Sequence, residues 1–278
     1  MKKLLTMVAT LGMIGAASVA VQAGPQQDLA EFRAYFKERF PDVPFNDYAN
    51  GVYAIDQASR EQWESIEEFP PYELNIEEGK KLFTTPFKNG KTYASCFKNN
   101  GMGIKQGYPY YDTQAGKVVT LEAAINDCRK ANGEEPLGWQ KGALADISAY
   151  MAYTSRGKKV DIKIPADEGA LAAYENGKQH FYAKRGQLNM SCADCHQYNA
   201  GNRVRADILS PALGHTTHFP VYRSKWGGLG TLHRRYGGCN EQVRAKKYKP
   251  QSAEYANLEY FETYMSNGLE SNGPGARK

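Results

Sequence analysis

Beyond its first 25 residues the sequence has no apolar run of 18 or more uncharged residues, which excludes an integral membrane protein. It also lacks a strong excess of charge. The 35 basic and 30 acidic residues give a net charge of +5, too mild and too evenly spread to predict nucleic-acid binding. Strand signals are few, so we expect a mainly helical globular protein, whose length of 278 residues suits two domains.

The first 23 residues have the pattern of an export signal. Two lysines precede an apolar stretch over residues 4–20, and the segment ends in the small residue Ala23. An N-terminal membrane anchor would need a similar stretch, but glycine, alanine and serine make this one short and weakly apolar. We therefore expect cleavage after Ala23 and a periplasmic mature chain of residues 24–278.

Cysteine is scarce, and its count is odd. The five cysteines all lie in the predicted mature chain, at Cys96, Cys128, Cys192, Cys195 and Cys239. Disulfides persist in exported proteins, but an odd number of thiols cannot all pair with one another. At least one cysteine therefore requires another explanation.

Residues 192–196 form a C-x-x-C-H motif, the pattern of covalent haem c attachment. The thiols of Cys192 and Cys195 would add to the two haem vinyl groups, and His196 would lie under the iron as the proximal ligand. A thioredoxin-like redox pair needs a βαβ context, and half of a zinc site needs a second Cys/His pair nearby. The motif in an exported helical chain favours haem over either alternative.

The residues leave the second axial ligand of the iron open. The candidates downstream of the motif are Met265, His215, His218, His233 and Cys239. A methionine is usual in electron carriers, yet Met265 falls in a predicted helix where a core position is the simpler interpretation. Cys239 follows two glycines, whose backbone can approach a flat cofactor closely, and a thiolate is a strong donor. These features favour Cys239 without excluding the others.

The chain also contains a weak internal repeat. Two landmark pairs are 111 positions apart, and an upstream glycine pair is 98 positions apart. The matched landmarks, in order, are Gly79 with Gly177, Cys96 with Cys192, Thr120 with Thr231, and Cys128 with Cys239. The repeat predicts two related domains, which we divide at the segment 158–165 into residues 24–158 and 159–278.

The first half cannot attach haem as the second does. Asn99 and Asn100 occupy the positions that correspond to Cys195 and His196. If Cys239 reaches the second-half haem, the equivalent cysteines of an empty first half would lie close together. We therefore predict a disulfide that joins Cys96 to Cys128 in the place of the lost cofactor.

Three arginines surround Cys239 in the sequence, namely Arg234, Arg235 and Arg244. The planar guanidinium donates two parallel hydrogen bonds, so it is well suited to small oxyanions. The cluster is consistent with an anionic substrate near a nucleophilic sulfur. On charge alone, a solvated basic turn is the simpler interpretation.

The single C-x-x-C-H motif, the degenerate first half and the segment Arg-Arg-Tyr-Gly-Gly-Cys-Asn-Glu-Gln-Val-Arg at 234–244 together resemble the SoxA family of bacterial sulfur oxidation. The resemblance covers nearly the whole mature chain. It implies two class I cytochrome c-like domains and an L-cysteine S-thiosulfotransferase activity. In this activity thiosulfate is joined oxidatively to a cysteine of the carrier protein SoxYZ, and electrons leave through the partner cytochrome SoxX.

The resemblance also implies roles for individual residues. It implies one covalent haem c on Cys192 and Cys195, with His196 and Cys239 as the axial ligands of its iron. In the family the distal cysteine is found as a persulfide and is proposed to be the catalytic sulfur. Arg235 matches the arginine assigned to substrate binding.

Two other functions compete with this interpretation. A simple electron-transfer cytochrome would need no arginine cluster and would usually have an axial methionine. A binding or storage module would carry the haem for structural reasons only. The ligand of the iron opposite His196 distinguishes the enzyme from the electron carrier.

Overall fold

The computed structural model describes residues 24–277, so the predicted export signal lies outside the described residues. The described chain is mainly helical, as expected, with short strands between the helices. The elements of the first half are α1 (Pro25–Arg39), α2 (Gln57–Glu67), α3 (Glu73–Thr84), β1 (Tyr110–Asp112), β2 (Lys117–Val119), α4 (Leu121–Ala131) and α5 (Ala143–Tyr153). Those of the second half are α6 (Glu168–Tyr182), β3 (Arg203–Val204), β4 (Asp207–Ile208), β5 (Val221–Arg223), β6 (Gly228–Gly230), α7 (Leu232–Gln242), α8 (Ala253–Met265) and β7 (Gly275–Arg277). Among the described helices, none has the length and apolar character of a membrane span.

The helix boundaries follow local sequence signals. Helix α1 begins with Pro25, a residue that suits the first helical position, and it ends shortly before Pro41. The Thr120 hydroxyl accepts a hydrogen bond from the first turn of α4 at 3.1 Å, and the Asp167 carboxylate does the same for α6 at 2.9 Å. The matching residue Thr231 directly precedes α7. The repeated threonines therefore begin equivalent helices in the two halves.

Two close helix crossings explain the repeated glycines. In the first half, a Cβ atom on Gly79 of α3 would lie 1.9 Å from the carbonyl oxygen of Asp146 on α5. In the second half, a Cβ atom on Gly177 of α6 would lie 2.0 Å from the carbonyl oxygen of Asn257 on α8. Both helix pairs approach so closely that only glycine fits at the crossing. Each half thus contains a pair of helices that meets at backbone contact beside a glycine.

Each half has its own apolar core, and a third cluster joins them. The first-half core includes Phe83, Tyr93, Leu121, Ile125, Leu144, Ile147 and Met151. The second-half core includes Tyr174, Phe181, Tyr236, Tyr255, Tyr260, Phe261 and Met265. Leu229 and Ala276 of the second half pack with Ile76 and Ala145 of the first. The halves are therefore in direct apolar contact.

Helix α1 crosses the division that the sequence predicts, and the dividing segment itself packs with the second half. Helix α1 lies in the first predicted domain, residues 24–158, yet its Phe32 and Phe36 pack in the second-half core. In the dividing segment 158–165, Val160 and Ile162 are also buried in that core. The backbone of this segment bonds to residues after α8, with Val160 N donating to Leu269 O at 2.8 Å. The segment is an ordered part of the second half rather than an extended linker.

The strands form three small sheets. β1 pairs with β2 and β3 pairs with β4, in both cases antiparallel. β5 is the central strand of the third sheet, antiparallel to β6 and parallel to β7. β6 leads directly into α7, so this sheet fixes the position from which α7 begins.

A disulfide joins Cys96 and Cys128, the pair predicted from the repeat. It ties the turn that ends at Cys96 to α4, with 5.8 Å between the two Cα atoms. Cys128 is buried in the first-half core. In the chain-entropy model, closing a loop of this length (32 residues) stabilises the fold by roughly 3–4 kcal/mol.

The helix crossing at Gly79 can be tested by adding a methyl group there. We expect Gly79→Ala to destabilise the fold by about 1–3 kcal/mol, because the new Cβ would overlap a backbone oxygen of α5. Gly138→Ala is the matched control, since a Cβ at Gly138 would meet nothing within 4 Å. Thermal unfolding followed by circular dichroism measures both variants. Equal melting temperatures for the two would contradict the close crossing.

Candidate functional site

The C-x-x-C-H motif lies on one tight turn that follows α6. Ser191 and Asp194 close the turn reciprocally: Ser191 N donates to Asp194 Oδ2 at 2.8 Å, and Asp194 N donates to Ser191 Oγ at 2.9 Å. The chain then makes a single π-helical turn over Asp194–Tyr198. The helical winding brings Cys192, Cys195 and His196 to one side of the turn.

The ring of His196 is held in the orientation that a metal ligand needs. Its Nδ1 lies 2.9 Å from the carbonyl oxygen of Ser210. A carbonyl only accepts, so Nδ1 carries the proton and Nε2 keeps its lone pair for a metal. Burial lowers the pKa of His196, which favours the neutral, ligating form.

Helix α7 brings Cys239 close to the motif, although 43 positions separate it from His196. Burial raises the pKa of Cys192 well above its usual value, and the charge of Cys239 raises it further. Burial also raises the pKa of Cys195, again with a contribution from Cys239. The charge of Cys239 thus acts on both motif cysteines, so the three cysteines outside the disulfide in the described chain lie within electrostatic range of one another.

A buried network that the sequence did not predict connects the two sides of this site. Glu262 of α8 is only 3% exposed. One of its oxygens lies 3.1 Å from Nδ1 of His215, and the other accepts a hydrogen bond from the Tyr236 hydroxyl. Nε2 of His215 is 3.1 Å from the hydroxyl of Ser210, whose carbonyl holds His196. A neutral His215 with its proton on Nδ1 satisfies both contacts, and burial lowers its pKa accordingly.

Three of the four alternative axial ligands are engaged by other parts of the protein. His233 accepts a hydrogen bond from Gln251 N at 3.0 Å, and its other nitrogen lies 3.1 Å from a Glu259 carboxylate oxygen. His215 is engaged by Glu262 and Ser210, and Met265 is buried in the second-half core. Burial lowers the pKa of His218 well below its usual value. The contacts of His215 and His233 count against these two residues as the ligand opposite His196.

The three arginines near Cys239 in sequence separate in space. The side chain of Arg235 extends along α7 towards Cys239, since a Cβ atom on the neighbouring Gly238 would lie 4.0 Å from Nη1 of Arg235. The positive charge of Arg235 also acts to lower the pKa of Cys195, against the effect of burial. The guanidinium of Arg234 instead stacks 4.2 Å from the centroid of the Trp226 ring. Arg244 lies beyond the end of α7 with a φ of 56°. Arg235 is thus the arginine of the three that is directed towards the predicted site.

The donor set fits a covalently attached haem. Two thiols on one turn match the two thioether bonds of haem c, and the adjacent imidazole has its Nε2 available. The third thiol comes from α7, a different element from the turn that carries His196. One histidine and one cysteine from separate elements suit the two axial positions of a haem iron.

Comparisons with known proteins agree with this chemistry. The family model for the SoxA/TsdA cytochrome c domain matches residues 78–160. The chain is 57% identical, over 94% of its length and 91% of the relative's, to the L-cysteine S-thiosulfotransferase subunit SoxA of Chlorobaculum tepidum. It is 55% identical to the SoxA subunit of Allochromatium vinosum, over 98% of each chain. A crystal structure of SoxXA from P. pantotrophus matches with a TM-score of 0.72 and 32% identity, covering 78% of this chain and 84% of that one.

The region that matches the cytochrome c family model lies in the first half, which has no C-x-x-C-H motif. This half nevertheless resembles a cytochrome c domain in sequence. The match is consistent with a first half that kept the helices of such a domain and lost its haem ligands.

The number of haems is a direct test of the site. We expect one covalent haem per chain, because the single C-x-x-C-H motif lies in the second half. Changing both Cys192 and Cys195 to alanine should abolish attachment, whereas changing Cys96 and Cys128 to alanine should preserve it. Pyridine haemochrome quantification per chain measures each variant, and two haems in the unaltered protein would contradict the assignment.

Proposed function

The chain belongs to the SoxA family, and on that premise we propose that it acts as an L-cysteine S-thiosulfotransferase subunit that joins thiosulfate to a cysteine of the carrier SoxYZ. The observation that carries the proposal is the position of Cys239 beside the C-x-x-C-H turn, with Arg235 on the preceding turn of the same helix. A simple electron carrier would need neither residue. The relatives are named for sulfur transfer, which favours a sulfur-transferring enzyme over an electron-transfer cytochrome and over a storage module.

The reaction can be written so that atoms and electrons balance. The outer sulfur of thiosulfate and the thiolate of Cys239 form an S–S bond, and this step releases two electrons. The thiolate of the carrier cysteine then attacks the sulfane sulfur, so that the carrier leaves as a thiosulfonate and Cys239 returns as a thiolate. The proton of the carrier thiol is lost to solvent.

The residues of the site divide this work between them. Cys192 and Cys195 would attach one haem c, and His196 with Cys239 would bind its iron. The haem supplies an acceptor for the electrons released when the sulfurs couple. Arg235 would hold the sulfonate oxygens through its two parallel donors, with the outer sulfur directed towards Cys239.

We propose that the hydrogen bonds of Glu262 hold these residues in fixed positions relative to one another. Tyr236 is one helical turn before Cys239, and Glu262 fixes it while also fixing His215. His215 in turn bonds to Ser210, whose carbonyl orients His196. A single carboxylate therefore connects the helix that carries Cys239 to the residues that orient His196, which would limit rearrangement when the charge at the site changes.

The setting of the enzyme is also a proposal. We propose export to the periplasm with cleavage after Ala23, a SoxX-type cytochrome as the partner, and two cytochrome c-like domains at 24–158 and 159–278. The crystal structure that matches this chain contains a SoxXA complex, which supports the partner. Sulfur coupling releases two electrons and one haem accepts one, so a second redox centre is needed.

The catalytic role of Cys239 is tested by Cys239→Met. We expect covalent haem to be retained, because Cys192, Cys195 and His196 are unchanged. Coupling of thiosulfate should fall by roughly 10³-fold or more, because methionine cannot form the S–S bond. Steady-state assays with thiosulfate, a thiol acceptor and the partner cytochrome provide the measurement.

Met265→Leu is the matched control, because it alters the competing ligand and conserves volume in the core. It should retain turnover and the haem spectrum. Wild-type turnover in Cys239→Met would show that the sulfur of Cys239 is not catalytic.

A further inference from the structure

A second arginine approaches the site from another part of the chain. Strand β5 ends at Arg223, which lies opposite Gly228 in the antiparallel register with β6. Two residues after Gly228, β6 ends at Gly230, and α7 begins at Leu232. In this register Val221, at the start of β5, lies opposite Gly230 at the entrance to α7, and Arg223 lies two residues farther along the hairpin. The ring of Trp226 connects Arg223 to α7, because it contacts both Arg223 and Arg234.

Trp226 holds this arginine in position. The ring of Trp226 lies 5.3 Å from the guanidinium carbon of Arg223 and 4.2 Å from that of Arg234. Contacts of this kind restrict a long side chain without neutralising its charge. Arg234 and Arg235 are consecutive on α7, so their side chains leave the helix about 100° apart. With Arg234 on Trp226, Arg235 is free to extend along the helix towards Gly238.

The charges around Arg223 point to the same site. Burial lowers the pKa of Arg223, and the positive charge of Arg235 lowers it further. The charges of Cys239 and of Asp207 on β4 act in the opposite direction. Two half-buried guanidinium groups that repel each other, one acting on Cys239 and the other on Cys195, form a region of positive charge that favours an anion.

We propose that Arg223 and Arg235 together form a two-guanidinium site that binds the sulfonate end of thiosulfate beside Cys239. This inference rests on the proposed function and deepens it by assigning a second residue to the substrate. Thiosulfate carries two negative charges, and two guanidinium groups neutralise both. After the two electrons have left, the sulfonate joined to Cys239 carries one negative charge. The pair therefore binds the substrate more strongly than the group that is handed to the carrier.

Asp207 offers a competing explanation for Arg223. A carboxylate on the β3–β4 hairpin could use Arg223 as a structural anchor, with no contact between the arginine and substrate. The two explanations predict opposite effects of removing Asp207. An anchor loses its partner in Asp207→Asn, whereas a substrate-binding arginine loses a competitor for the anion.

The test uses the haem-loaded chain in complex with its partner cytochrome. Thiosulfate binding to the oxidised complex is measured by calorimetry without carrier, and KM and kcat are measured with carrier. We expect Arg223→Met to weaken binding and raise KM for thiosulfate by at least about tenfold, with an unchanged haem spectrum. Arg223→Lys should lie between Arg223→Met and the wild type, because it keeps the charge and loses the fork.

Two matched variants complete the test. Lys225→Met removes an exposed positive charge two residues away and should change KM by less than about twofold. Asp207→Asn should leave KM unchanged or lower it. Wild-type binding in Arg223→Met, or equal losses in Arg223→Met and Asp207→Asn, would overturn the inference. An inactive wild-type complex would instead contradict the proposed function, so the two failures are distinguishable.

Discussion

The buried carboxylate of Glu262 is the interaction on which the geometry of the site depends. It lies on α8 and binds His215 from the loop after the C-x-x-C-H turn and Tyr236 from α7. Tyr236 shares α7 with Cys239, and His215 bonds to Ser210, whose carbonyl oxygen accepts a hydrogen bond from His196. Removing a buried, hydrogen-bonded charge partner of this kind is costly, because the remaining polar groups stay buried without it.

The position of α8 depends in turn on the absence of a side chain. Gly177 allows α6 to cross α8 at backbone contact, and the C-x-x-C-H turn follows α6 within ten residues of its end. Gly79 allows a similarly close approach of α3 and α5 in the first half, where a disulfide joins the exposed Cys96 to the buried Cys128 and no C-x-x-C-H motif is present. The two halves thus combine similar helix packing with two different covalent constraints, a disulfide in one and a proposed haem attachment in the other.

The features of this protein that the sequence could predict are local or repeated. The C-x-x-C-H motif is contiguous, so haem attachment can be predicted from it without knowledge of the fold. The internal repeat predicted the Cys96–Cys128 disulfide that the structure contains. Glu262 and Arg223 have no such signal. Each reaches the site from an element distant in sequence, and nothing in its neighbours distinguishes it from an ordinary helix glutamate or strand arginine. The packing of α1 on the second-half core escaped prediction for the same reason, since an amphipathic helix does not specify its partner.

We propose that α7 places the sulfur of Cys239 on the haem iron, opposite His196. Electron paramagnetic resonance and near-infrared spectra of the oxidised, haem-loaded protein test this ligation. We expect a low-spin ferric haem with the g-values of thiolate ligation and no methionine-to-iron charge-transfer band. A spectrum of histidine and methionine ligation, with that band present, would contradict it.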